Sequence, residues 1–175
     1  MAAKPDPLGQ VTWLRHFTDT RNLARIKELG GLYSSAKLRE MGVEDIVCGG
    51  NQWSLDADQM SRMDRYVHLC FRGNHPMEHI AVVEGRIEKS AFLYVDAKIM
   101  KKDGVLFAPG VSNKSGMKTC TIEQARDMID YQVLYTRTDW NDPEINARLC
   151  AAEKCEILVP DHIPMKYLEQ YFPHG

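Results

Sequence analysis

No stretch of this sequence is long and apolar enough to span a bilayer, and residues 1–10 lack an apolar core of signal-peptide length. The expectation is a soluble, cytoplasmic protein with no membrane partner. Charge of one sign is also missing. Lys and Arg total 22 against 24 Asp and Glu, a net charge of −2, so no broad basic surface exists to hold nucleic acid through phosphates alone. A local groove remains open to it. Cysteine is sparse, odd in number at five and without repeated spacing. That excludes a disulfide framework and fits reduced thiols in the cytosol. Cys150 and Cys155 lack the second pair that a zinc knuckle requires. Neither G-x-x-x-x-G-K-[ST] nor G-x-G-x-x-G occurs, which argues against the ordinary nucleotide-binding folds. A G-x-S-x-G nucleophile elbow is absent too.

What is present is an ordinary globular balance, 44% hydrophobic and 26% charged residues over 175 positions, enough for one domain with a real core. Residues 1–10, with Pro5, Pro7 and Gly9, read as a flexible N-terminal arm before a single domain over 11–175. Val11–Phe17 reads as a strand. A helix over Arg21–Leu29 follows, with Thr18, Asp19 and Thr20 available as caps and Gly30-Gly31 as its stop. Leu32-Tyr33 is a short apolar piece, and Ser35–Met41 a second helix. Residues 43–64 give a weak signal, expected to be a loop with some helix acting as a mobile cover. Strands are expected at Tyr66–Phe71, Ile80–Ile87, Ala91–Val95, Val105–Ala108 and Tyr131–Tyr135. Helices are expected at Ile122–Ile129, Asp142–Lys154 and Met165–Tyr171, and residues 109–116 as a turn-rich loop. No repeat or linker intervenes, and the order of elements gives an α+β class rather than regular βαβ units.

The run Cys155-Glu156-Ile157-Leu158-Val159-Pro160 reads as a buried strand stopped by proline. Glu156 opens it, where a carboxylate is expected to point away from the core, either as a solubilising residue or as a placed chemical group. His75-Pro76-Met77-Glu78-His79 matches H-x-x-E-H, an inverted zinc-peptidase pattern. Pro76 confines the pair to a first helical turn, so a helix start is the favoured reading over a zinc hydrolase. His16-x-Thr18-x-x-x-Asn22 places an imidazole and a hydroxyl at alternate positions near a strand end, with an amide in the next turn. Such a set suits an amide and a ribose, or is simply a strand end with helix capping.

These residues carry a resemblance. His16-Phe17-Thr18 with Asn22-Leu23 and Gly30-Gly31-Leu32 is similar to the opening of the DarT family of ADP-ribosyltransferase toxins, H-x-T…N-L…G-L. Arg65-Tyr66-Val67-His68-Leu69-Cys70-Phe71, then His75-Pro76-Met77, resembles its central D-Y-V-P-F-Y-F…S-P-M. Trp140-Asn141-Asp142 and Glu156-Ile157-Leu158-Val159-Pro160-Asp161-His162-Ile163-Pro164 resemble its W-x-D…E-F-L-V-P-D-x-x-P ending. The match is ordered along nearly the whole chain and is most specific at its end.

The resemblance implies an ADP-ribosyltransferase-like split β-sandwich with flanking helices, NAD as substrate, and transfer of ADP-ribose to a base in single-stranded DNA or RNA. It implies Glu156 as the catalytic carboxylate and His16, Thr18 and Asn22 as NAD contacts. The family's functional arginine falls where this chain has Cys48-Gly49-Gly50, so Arg65, or Arg62, is expected to substitute. Upstream of Glu156, Arg137, Trp140 and Arg148 combine cations with a flat ring, a set suited to phosphates and an unpaired base. A toxin of this kind implies an antitoxin partner, and the catalytic domain is expected to be monomeric. A protein-modifying ADP-ribosyltransferase shares the NAD site and is the alternative.

Overall fold

Short polar side chains set most helix starts. Eight strands and seven helices make up the regular elements of the computed structural model, which describes residues 6–73 and 75–169. The helices are α1 Leu23–Leu29, α2 Ser35–Glu40, α3 Gln52–Ser61, α4 Pro76–Val83, α5 Ile122–Met128, α6 Tyr131–Tyr135 and α7 Pro143–Glu153. Ser34, Asn51, Thr121, Asp130 and Asp142 cap α2, α3, α5, α6 and α7 by accepting backbone N–H groups in the first turn. Thr121 forms a full capping box with Gln124.

The strands are β1 Trp13–Asp19, β2 Gly31–Tyr33, β3 Tyr66–Cys70, β4 Ser90–Asp96, β5 Leu106–Ala108, β6 Glu156–Pro160, β7 His162–Pro164 and β8 Leu168–Glu169. Six form one antiparallel sheet in the order β5-β6-β3-β1-β4-β8, and β2 and β7 form a second, two-stranded sheet. This is the expected α+β arrangement of antiparallel strands with flanking helices. Ile157, Leu158 and Val159 of β6 are wholly buried, as a continuous apolar run in an interior strand should be. Asp161 then turns the chain through a left-handed conformation, φ 58°, into the second sheet. Gly31 meets that sheet closely: a Cβ there would lie 2.2 Å from the Ile163 carbonyl oxygen. Only glycine fits.

Four expectations are corrected. The strand over Ile80–Ile87 is instead the end of α4 followed by a turn at Gly85. His75 caps that helix and Pro76 occupies its first position, and this start outweighs the β preference of Ile80, Val82 and Val83. Tyr131–Tyr135 is the short helix α6, because Asp130 accepts from Val133 N–H and closes a turn. Aromatic content had suggested a strand. Met165–Tyr171 is not a helix: a 3₁₀ turn at Met165–Tyr167 leads into β8, which pairs with β4, and residues 170–171 lie outside the described residues. The segment 43–64 is the expected loop with some helix, namely α3, ended by Arg62 at φ 60°. At the other end, the arm expected over residues 1–10 does not include Pro7–Gln10, a 3₁₀ turn whose Leu8 is buried in the core. Residues 1–5 lie outside the described residues.

β1 ends on Asp19, wholly buried, which accepts from Arg21 N, Nε and Nη2 and from Glu88 N at 2.8–2.9 Å. This carboxylate ties the exit of β1 to the approach to β4. Asp19→Ala strands those donors and is expected to lower the unfolding free energy by about 2–3 kcal/mol. The check is a lower urea midpoint at unchanged slope.

Candidate active site

β1 and β3 share a single paired position, Arg15 opposite Cys70. A cleft of about 230 Å³ is lined by residues of both strands, with α3 and the 109–116 loop adding to its wall. Its floor is Glu156. The first residue of β6 lies between Cys70 of β3 and Ala108 of β5, and only 6% of it is exposed. Its carboxylate does point away from the core, as expected: Ile157 and Val159 join the core while Glu156, on the alternate face, lines the cleft, where His68, His75 and Ser112 cover it.

The two carboxylate oxygens have different surroundings. Oε2 accepts from Ser112 N–H at 3.1 Å and lies 3.3 Å from His68 Nδ1. Among the described residues Oε1 has no hydrogen-bond partner, and it faces His75 Nε2 at 3.7 Å. Burial opposes the Glu156 charge, but the bond and charge of His68, the Ser112 amide and the His75 ring outweigh it. Its carboxyl is held below the usual glutamate range. Burial likewise opposes charge on His68, yet the bond and charge of Glu156, the charge of Asp58 and the Met63 carbonyl push it up to about 9.

Two more histidines complete the cleft. His16 Nδ1 donates to the His68 carbonyl oxygen at 3.0 Å, and burial lowers its pKa. The neutral ring offers Nε2 as an acceptor. His75, 4% exposed, accepts from Met77 N–H at Nδ1 as the cap of α4, so its proton sits on Nε2. That Nε2 is buried and without a hydrogen-bond partner. Burial lowers the His75 pKa as well. His79 is exposed on α4 and does not join His75. Among the described residues no group of three or more His, Cys, Asp or Glu could hold a metal ion.

The remaining expected NAD contacts have local work. Asn22 Oδ1 accepts from Val47 N–H, and its Nδ2 donates to the Val47 carbonyl and to Thr18 Oγ1, at 2.8–3.0 Å. This amide clamps the 43–50 segment to β1, and Thr18 and Asn22 both line the cleft. Arg65 is exposed on the turn before β3, near Glu40, and neither it nor Arg62 lines the cleft.

A second groove, about 560 Å³, lies at the end of β3 and is lined by Trp13, Arg15, Arg72, Arg137 and Trp140 among others. Trp140 is 55% exposed, with the Arg72 guanidinium 5.8 Å from its ring centre. Arg148 is not part of it: its Nε donates to Asp130 at 2.7 Å.

The whole-chain comparisons agree with this architecture. A family model described as "ssDNA thymidine ADP-ribosyltransferase, DarT" matches residues 15–172. The chain belongs to the DarT family. DarT from Thermus sp. 2.9 in complex with ADP-ribosylated ssDNA superposes with a TM-score of 0.69 at 18% identity, over 95% of this chain and 83% of that one. The same Thermus DarT in complex with NAD+ gives 0.64 at 17% identity, over 95% and 83%. Thermosipho africanus DarTG in complex with ADP-ribose gives 0.66 at 18%, over 94% of this chain and 44% of that one. No curated protein matches by sequence.

His68, His75, Asp58 and Ser112 were not singled out as site residues from the sequence, apart from His75 as a zinc ligand. The signal for His68 was its alternation with Cys70 on a strand beside Glu156, visible only once the register is known. Asn22→Ala removes three hydrogen bonds from the cleft wall. The Val47 amide is expected to exchange with solvent roughly tenfold faster or more, measured by native-state hydrogen exchange.

Proposed function

We propose that this DarT-family chain transfers ADP-ribose from NAD to a base in single-stranded DNA, with Glu156 Oε1 as the reacting carboxylate oxygen. The observation that carries this is the asymmetry of Glu156. One oxygen is held by two donors, and the other has no hydrogen-bond partner among the described residues and faces the cleft. The solved relatives that hold NAD+ and ADP-ribosylated ssDNA support the choice of substrates.

Cleavage of the bond between nicotinamide and ribose sends the electron pair out with nicotinamide and leaves positive charge on the sugar, as in glycoside cleavage. Glu156 stabilises that charge more than it stabilises neutral ribose, which is what accelerates the step. Oε1 accepts from a ribose hydroxyl, with the His75 Nε2–H beside it as a second donor to the sugar. His16 Nε2 accepts from the other side. A nitrogen of the base then attacks the anomeric carbon, and its proton passes to Oε1 and on to water.

The acceptor strand lies in the groove at the end of β3. Phe71, Arg72 and Gly73 of that groove follow directly on Cys70, the strand partner of Glu156, so groove and carboxylate are adjacent. Trp140 stacks on a splayed base while Arg72 and Arg137 meet phosphates. Few cations and a net charge of −2 favour unpaired strands, since nothing offsets the few kcal/mol of extruding a base from a duplex. A protein that marks DNA is toxic to its own cell, and a neutralising partner accompanies it.

Two outcomes test this. Glu156→Gln is expected to lower transfer by about 100- to 1,000-fold with an unchanged fold, read by labelled NAD on single strands, duplexes and cell protein. Trp140→Ala is expected to lower transfer to DNA by roughly tenfold while NAD affinity by calorimetry stays near wild type. Mass spectrometry of the nucleosides assigns the modified base. Labelling of RNA instead of DNA would move the acceptor. Labelling confined to protein, indifferent to Trp140, would overturn the nucleic-acid reading.

A further inference from the structure

His68 makes contacts that favour its charged form. Nε2 lies 3.0 Å from the Met63 carbonyl oxygen, and Nδ1 lies 3.3 Å from Glu156 Oε2. A carbonyl and a carboxylate oxygen both only accept. A proton on each ring nitrogen serves both acceptors at once, so these contacts favour the imidazolium, which the raised pKa of the ring also supports. Among the described residues lining the cleft there is no Lys or Arg, so His68 is its one cation.

We propose that His68 is the positioning residue of the site: its imidazolium keeps the buried Glu156 ionised and pins Oε2, so that Oε1 is left to the ribose. This deepens the transferase reading and rests on it. A carboxylate at this depth without a partner would take up a proton rather than stay charged. The Ser112 amide alone supplies a dipole and no charge. His68 supplies both, and its Nδ1 proton also faces Ser112 Oγ at 3.3 Å, which joins the 109–116 loop to the pair.

The other ionisable groups around His68 are Asp58 on α3, which raises its pKa, and the rings of His16 and His75, whose own pKa values its charge lowers. Losing the proton on Nδ1 would turn a lone pair toward Oε2, and losing that on Nε2 would turn one toward the Met63 carbonyl. Either way the ring and carboxylate must move. The sign follows: a raised histidine pKa means the pair is complete below its ordinary 6.5 and is lost as pH rises through about 9. A lowered glutamate pKa means the pair holds above the ordinary 4.5 and fails as pH falls below it.

Two measurements decide it. In the NAD-free protein, NMR titration of the histidine Cε1–H signals is expected to give His68 a pKa of about 9, falling below the ordinary histidine value of about 6.5 in Glu156→Gln. In steady-state NAD consumption, kcat of the wild type is expected to fall with a midpoint of about pH 9, while the KM for NAD changes less than about threefold. His68→Gln keeps one donor and cannot titrate. Its alkaline fall should vanish and its acidic limb move to higher pH, as Glu156 loses its cation. The wild-type titration keeps the test decisive even if that variant does not fold. His68 titrating below 7 in the wild type, or a His68→Gln profile that superposes on the wild type, overturns the proposal. A wild-type protein that consumes no NAD while His68 titrates near 9 overturns the transferase reading and leaves the pairing in place.

Discussion

A buried negative charge is the constraint on which the rest of this molecule depends. Glu156 sits between two strands of the sheet, where an isolated carboxylate would be neutral. Three groups around it compensate. β3 brings His68 diagonally across the strand pair, the 109–116 loop brings the Ser112 amide, and the capped start of α4 brings His75. The compensation is one-sided, and that asymmetry is what gives the site chemistry. A carboxylate satisfied on both oxygens would be a structural ion pair. One satisfied on a single oxygen keeps the other for a ligand.

The same geometry joins the cleft to the second groove. Cys70 is the strand partner of Glu156, and the chain runs from it through Arg72 to His75. Residues 71–73 line the groove that holds Trp140 and Arg137, while His75 and Met77 line the cleft. A donor in the cleft and an acceptor in the groove would thus meet at Glu156 from two sides. The wall opposite is held to β1 by Asn22, which bonds the Val47 backbone in both directions. Its presence in the sequence pattern near His16 and Thr18 is explained by this clamp.

Much of the frame was legible in the sequence because local signals there agree with tertiary context. The apolar run of β6, the helix over Ile122–Ile129 and the Asp142-Pro143 start of α7 each read correctly. Where aromatic or β-branched content met a strong cap, composition misled: the caps at His75 and Asp130 made helices of α4 and α6. The ordered DarT motifs single out Glu156 and His16, and both line the cleft. His68 was not legible, because its role depends on strand register, which no window of sequence contains. The expectation that Arg65 or Arg62 serves the site failed to find support for a similar reason. Nearness in sequence to β3 leaves both outside the cleft, while two residues into the strand His68 points its ring at the carboxylate.

The central claim concerns which oxygen of Glu156 meets the sugar. The most direct measurement is a structure of the protein with a non-hydrolysable NAD analogue. The expected result is a hydroxyl of the nicotinamide ribose within hydrogen-bond distance of Oε1, with Oε2 still held by His68 and the Ser112 amide. An analogue bound away from Glu156, or one that displaces His68 to reach Oε2, would contradict it.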